Sequence, residues 1–155
     1  MSTQTTGNQT YTIMEAARLS GLPESTLRYY ETIGLIDRIT RGASSKQREY
    51  TDEDINMVIS VACLSATGMS IESMRQYLGN RTLGAGAAKD QIDLLDKQRT
   101  RLLEEAHFMQ LRQRYVDVKI EYWKAVEAGD EQKVADAKQR ADSIAAELKL
   151  PRESK

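Results

Sequence analysis

A cluster of basic side chains between residues 28 and 48 is the first feature of the sequence with evident chemistry. The segment has a local excess of three positive charges, from Arg28, Arg38, Arg41, Lys46 and Arg48 against Glu31 and Asp37. Over the whole chain, 22 basic and 23 acidic residues nearly cancel. Because guanidinium and ammonium groups bind phosphates, a small basic surface on a balanced protein favours specific DNA binding.

The single cysteine, Cys63, is the second residue with reactive chemistry. A lone cysteine excludes an internal disulfide and predicts a reduced thiol, and two such thiols can meet in a dimer. Cys63 lies in an apolar stretch, where an unpaired cysteine usually packs as a small hydrophobe. No basic residue lies within a helical turn of it, so any group that activates the thiol must come from elsewhere in the fold.

Other function classes find little support. Residues 79–89 and 123–155 contain no Cys or His, and His107 is alone, so we expect no metal site. No motif of paired carboxylates, nucleophile and base, or phosphate-binding glycines is present, so we expect no enzyme and no cofactor. Residues 1–9 predict a disordered tail without signal-peptide character, and no apolar run approaches the ~20 residues of a membrane span, so we expect a cytoplasmic protein without a membrane partner.

Two short helices joined by a glycine turn are predicted to carry the start of the basic segment. Thr12 and Glu15 form a capping box for a helix that Gly21 ends, and Pro23 lies in the first turn of a second helix that reaches about residue 33. Gly34 ends that helix. Two helices of this length with such a turn are the sequence form of a helix-turn-helix.

The next segment predicts two short strands around a polar turn, over residues 35–50. A capping box at Thr51–Asp54 then opens an apolar helix to about residue 67, and Ser70 caps a shorter helix to about residue 78. Residues 79–87 are rich in glycine and predict a linker or elbow.

A heptad repeat begins after residue 88. Its apolar members are Ile92, Leu95, Leu102, Ala106, Met109, Val116, Ile120 and Trp123, with Arg99 and Gln113 at the two polar positions. A helix of about 35 residues would be about 50 Å long, which is too long for a small head to bury its apolar stripe. The stripe therefore predicts a partner helix in a homodimer, and a weaker stripe after Gly129 predicts a final helix.

The residues from Tyr11 to about Leu78 resemble the MerR family of transcription regulators. The resemblance is carried by the run Arg28-Tyr29-Tyr30-Glu31, with Gly34-Leu35, Arg48, Tyr50, Asp54 and Gly68-Met69-Ser70 in register. It implies an all-α fold with a small β wing, made of a winged helix-turn-helix head and a long antiparallel coiled-coil dimerisation helix. The expected domains are the head at 10–79, the linker and dimer helix at 80–128, and a C-terminal helix and tail at 129–155.

The family's DNA contacts would fall on the second helix and the wing. Glu24, Ser25 and Thr26 occupy the helix turn that enters a major groove, so they are the candidates for contacts with base edges. The candidates for contacts with the DNA backbone are Arg28, Tyr29, Arg41, Lys46 and Arg48. Tyr50 is counted with these DNA-binding residues and is also expected to brace the wing. Lys46 stands near the family's usual turn glycine in a wing that is one residue longer.

The resemblance also implies what the regulator acts on. Its partners would be double-stranded promoter DNA, a second copy of the chain, and RNA polymerase at the promoter, with the DNA bent and untwisted for activation. The context of Cys63 resembles the branch of the family that responds to aldehydes, nitrosothiols or other electrophiles, with this cysteine as sensor. Two alternatives remain: a small apolar ligand bound near Trp123, and a coiled-coil interaction protein that does not bind DNA.

Overall fold

The computed structural model describes residues 9–149, which leaves most of the expected N-terminal tail outside the described residues. Six α-helices and one 3₁₀ segment account for most of this range. In chain order they are α1 (Ile13–Ser20), α2 (Glu24–Thr32), α3 (Asp52–Ala66), α4 (Ile71–Asn80), the 3₁₀ segment (Arg81–Ala87), α5 (Ala88–Ala128) and α6 (Glu131–Leu148). The chain divides into two compact units between Gln98 and Arg99. No helix within residues 9–149 is long and apolar enough to cross a membrane.

The helix ends of the first unit follow the predicted caps. Thr12 and Glu15 bond each other's backbone amides, at 3.1 Å in both directions, and Thr51 and Asp54 form the second capping box. Gly21 ends α1 in the left-handed conformation at φ 77°, which a side chain rarely adopts. The helix-turn-helix prediction is therefore confirmed.

The first unit has one hydrophobic core, which fixes the orientation of α2. Leu27 and Tyr30 of α2 are buried. The other buried members of this core come from α1, α3, α4 and the connecting segments: Ala16, Leu35, Ile36, Ile39, Tyr50, Ile55, Val58, Val61, Met69 and Met74. Because one face of α2 is buried, residues on its opposite face such as Ser25, Arg28 and Tyr29 point to solvent.

The two strands predicted for residues 35–50 do not form a ladder in the part of the chain that the structure describes. Only single antiparallel bridges occur, between Arg41 and Arg48 and between Tyr11 and Tyr50. We call residues 39–50 the wing. Its turn is closed by backbone bonds from Gly42 to Gln47 and from Lys46 to Gly42. The wing is too short for a backbone ladder, so side chains contribute to its position.

The glycine-rich segment predicted as a linker or elbow forms short helical turns over most of its length. Residues 81–87 form 3₁₀ turns, interrupted at Gly84, which has φ 57° and ψ −132°. Short 3₁₀ pieces often connect longer helices, so these turns are compatible with a linker between α4 and α5.

The second unit is a helical hairpin made of α6 and the part of α5 that follows Gln98. Gly129 makes the turn at φ 70°, and Asp130 caps α6 by accepting a bond from the Lys133 amide. Val118 packs against Ala137, Ala141 and Ile144, and all four are buried. The predicted C-terminal helix thus packs onto α5.

Candidate nucleic-acid interface

The first turn of α2 presents short polar side chains to solvent. Glu24 and Ser25 are exposed and Thr26 is half-buried. Pro23 precedes the helix and offers no side-chain cap, so the first-turn amides meet no capping oxygen. An uncapped helix N-terminus attracts anions such as phosphates. The predicted base-reading residues therefore share an accessible helix end.

Arg28 and Tyr29 continue this surface along α2. The Arg28 guanidinium lies 3.9 Å from the Glu24 carboxylate, and half of its side chain is exposed. Tyr29 is 52% exposed, whereas the neighbouring Tyr30 is buried. Both predicted backbone contacts on α2 are therefore accessible to a large partner.

The wing carries a second set of basic side chains, of which one is exposed and two are partly buried in ion pairs. Lys46 is exposed at the tip and adopts the left-handed conformation at φ 61°. The predicted phosphate contacts Arg41 and Arg48 are instead partly buried and both pair with Glu31. Their guanidinium groups are therefore held in place before any DNA arrives.

Glu31 is the residue that sequence reasoning missed. Its carboxylate lies 2.6 Å from Arg48 Nε and 3.3 Å from Arg41 Nη2, and it accepts a hydrogen bond from the Ile39 amide at 3.1 Å. Burial alone would raise the pKa of Glu31, but the bonds from Arg48 and Ile39 and the charges of both arginines outweigh it, so the pKa is lowered. The one signal in the sequence was an acid within a basic segment.

Tyr50 requires a correction, because it was included among the DNA-contacting residues. Its side chain is 0% exposed, and its hydroxyl has no hydrogen-bond partner within the described structure. Burial raises its pKa. A fully buried ring cannot touch DNA, so the structure retains only the expected role of bracing the wing, through paired backbone bonds of 2.8 Å with Tyr11.

Cys63 lies on α3 with an exposed side chain. It therefore lies outside the hydrophobic core of the first unit. In residues 9–149 there is no group of three or more His, Cys, Asp or Glu side chains arranged to hold a metal ion.

The apolar stripe of α5 is exposed along its whole length. All eight predicted dimerisation residues are solvent-accessible, namely Ile92, Leu95, Leu102, Ala106, Met109, Val116, Ile120 and Trp123. Val116 and Ile120 each lie two positions from Val118, so they are turned about 160° away from the face that α6 covers. A groove with a cavity volume of 380 Å³ also lies on α5, between Tyr115 and Glu127.

Comparison with known proteins decides the family. The model for MerR HTH family regulatory proteins matches residues 11–80. The crystal structure of a MerR family transcriptional regulator from Listeria monocytogenes is 31% identical, with a TM-score of 0.63, and the match covers 83% of this chain and 98% of that one. The chain belongs to the MerR family.

Two further MerR family members are similar. The transcriptional regulator AdhR from Bacillus subtilis is 36% identical over 92 residues, which is 59% of this chain and 65% of AdhR, just under two thirds of its length. HiNmlR, a MerR family regulator lacking the sensor domain and crystallised on promoter DNA, shares the fold, with 23% identity and a TM-score of 0.60 over 77% of this chain and 94% of that one. These MerR relatives are regulators, which confirms that the chain is not an enzyme.

Proposed function

We propose that this MerR family regulator is a homodimer that binds promoter DNA sequence-specifically and distorts it to control transcription. The observation that carries the proposal is the exposed polar and basic face of α2, which lies in the same unit as an exposed lysine on the wing. The related regulator HiNmlR was crystallised on promoter DNA, which supports this use of the fold. Such a protein works in the cytoplasm, with RNA polymerase as its partner at the promoter.

Each part of the surface has a separate task in this proposal. Glu24, Ser25 and Thr26 contact base edges in a major groove, where short polar side chains can distinguish base pairs. Contacts to phosphates set the register of the protein on the duplex, and they come from Arg28, Tyr29, Arg41, Lys46 and Arg48.

The exposed stripe of α5 supplies the dimer. The apolar side chains at heptad spacing are not covered by α6, and they become buried when an antiparallel copy of the same helix packs against them. A two-fold dimer presents two heads, which suits an operator with two half-sites. The protein would bend and untwist the DNA between these sites. Because the energy of that deformation depends on the DNA sequence, part of the specificity would not require contacts with bases.

The exposed thiol of Cys63 supports an electrophile as the signal. The thiol would add to the carbonyl carbon of a reactive aldehyde, and its proton would pass to the carbonyl oxygen to give a hemithioacetal. The groove on α5 supports the alternative of a small apolar ligand, but it includes Val116, Ile120 and Trp123 of the dimer stripe. A ligand there would compete with the partner helix.

The DNA-binding claim is tested by titrating labelled DNA from the promoter beside the gene with wild type, Arg28→Ala and Lys138→Ala. Lys138 is exposed on α6, so its variant removes the same charge outside the proposed surface. We expect Arg28→Ala to weaken binding and to reduce the slope of log affinity against log salt by about 0.9, the value for one phosphate contact, with Lys138→Ala unchanged. Absence of binding by wild type at low salt would favour a coiled-coil interaction protein instead.

The effector is tested by transcription in vitro with reduced wild type and Cys63→Ala, with and without a reactive aldehyde. We expect activation by aldehyde in wild type and none in Cys63→Ala, although both bind the promoter. Identical output from both proteins, insensitive to aldehyde, would contradict the thiol switch and direct the search to a noncovalent ligand.

A further inference from the structure

Glu31 joins the recognition helix to the wing. It lies in the last turn of α2, the helix whose first turn carries the proposed base contacts, while Ile39, Arg41 and Arg48 all belong to the wing. The Glu31 side chain is only 8% exposed, so water competes weakly for its carboxylate. Three contacts to one buried carboxylate fix the wing relative to α2.

The backbone alone holds the wing weakly. The described residues contain only two isolated bridges here, Arg41 with Arg48 and Tyr11 with Tyr50, in place of a strand ladder. Arg41 is further held by a bond of 3.1 Å from its guanidinium to the Ile39 carbonyl. A guanidinium has five N–H donors, so an arginine that pairs with Glu31 can still reach a phosphate.

We propose that Glu31 is a positioning residue for DNA binding, which orients Arg41 and Arg48 so that wing and α2 meet the duplex as one surface. This inference rests on the proposed function. It predicts an effect opposite to simple electrostatics: removing a negative charge from a DNA-binding surface should tighten binding, whereas removing a positioning group should weaken it.

The substitution Glu31→Gln separates these two effects. Glutamine keeps the side-chain length and an oxygen that can accept from the Ile39 amide, but it loses the charge that holds both arginines. Asp37→Asn is the matched control, because Asp37 is an exposed acid in the same segment and its change removes the same charge.

The experiment measures the affinity of the full-length variants for a short duplex selected from random-sequence DNA with wild type, at low and at physiological salt. We expect Glu31→Gln to bind about three- to thirtyfold more weakly than wild type, the range for removing one member of a coupled charge network, and Asp37→Asn to bind as wild type or slightly more tightly. If Glu31→Gln binds the duplex as tightly as wild type, or more tightly, the positioning role is overturned. Wild type that selects no DNA would overturn the proposed function and this role together.

A second variant decides the matter if Glu31→Gln does not fold, as judged by circular dichroism. Arg48→Lys keeps the positive charge but loses the guanidinium Nε that bonds Glu31 at 2.6 Å. A positioning role predicts weaker binding with an unchanged salt slope, because the number of neutralised phosphates stays the same. Binding by Arg48→Lys equal to wild type would overturn the proposal.

Discussion

Single residues in this protein act through the partners that the fold gives them. Arg41 and Arg48 were predicted from the sequence as contacts to the DNA backbone, and in the fold each also shares the buried carboxylate of Glu31. Tyr50 was predicted at the DNA surface, yet it is enclosed by the core. Both outcomes depend on contacts between residues far apart in sequence, which charge counting and periodicity do not report.

The lowered pKa of Glu31 predicts a specific dependence of stability on pH. Because the folded pKa lies below the usual value of 4.5, the stabilisation is complete above about pH 5 and is lost as the pH falls through the folded pKa. We expect the urea midpoint of wild type to fall more steeply than that of Glu31→Gln as the pH is lowered through this range, followed by circular dichroism. Parallel curves would show that the carboxylate does not stabilise the fold.

The buried hydroxyl of Tyr50 predicts that phenylalanine is tolerated in its place. An unsatisfied buried hydroxyl destabilises a fold, so Tyr50→Phe should raise the free energy of unfolding by up to about 1 kcal/mol and leave DNA affinity unchanged. Tyr50→Ala, which removes the ring as well, should cost about 3–5 kcal/mol. Urea denaturation and DNA titration check both variants, and a loss of DNA affinity in a stable Tyr50→Phe would restore a role for the hydroxyl at the DNA.

Secondary structure followed the sequence where local interactions determine it. The two capping boxes and the ends of α1 and α3 were predicted because each depends on residues three positions apart. The two strands predicted for residues 35–50 reduce to isolated bridges, because ion pairs to α2 contribute to holding the wing. The apolar stripe on α5 is exposed in one chain, which agrees with the predicted need for a partner helix, and the dimer contacts themselves stay a prediction.

The turn of the wing contains strain that a glycine would remove. Lys46 is the only residue other than glycine with positive φ in the described range, a conformation that costs about 1–2 kcal/mol. Lys46→Gly should therefore raise the free energy of unfolding by about 1 kcal/mol and reduce the salt slope of DNA binding by about 0.9, since one phosphate contact is lost. Lys46→Arg, which keeps charge and strain, is the control and should change neither quantity; a destabilised Lys46→Gly would contradict this account of the turn.

At the scale of the whole molecule, one helix has two faces with different tasks. The face of α5 around Val118 is covered by α6, and the opposite face carries the exposed stripe. Because α6 covers one face of α5, we expect a second copy of the chain to pack against the opposite face.

The stripe predicts which substitution separates the dimer. Met109→Glu places a charge in the proposed interface, whereas Gln110→Glu adds the same charge to the neighbouring exposed position outside the stripe. We expect sedimentation analysis to show a weakened dimer or a monomer for Met109→Glu and a dimer for Gln110→Glu and wild type, all with normal helicity. A monomeric, helical wild type at micromolar concentration would contradict the dimer.

The central claim is that two heads bind one stretch of promoter DNA together. The most direct measurement is the stoichiometry of the complex with the promoter duplex, by sedimentation of labelled DNA, combined with affinity at several salt concentrations. The account predicts two chains on one duplex and an affinity that falls steeply as salt rises, because several phosphates are neutralised. One chain per duplex, or an affinity independent of salt, would contradict it.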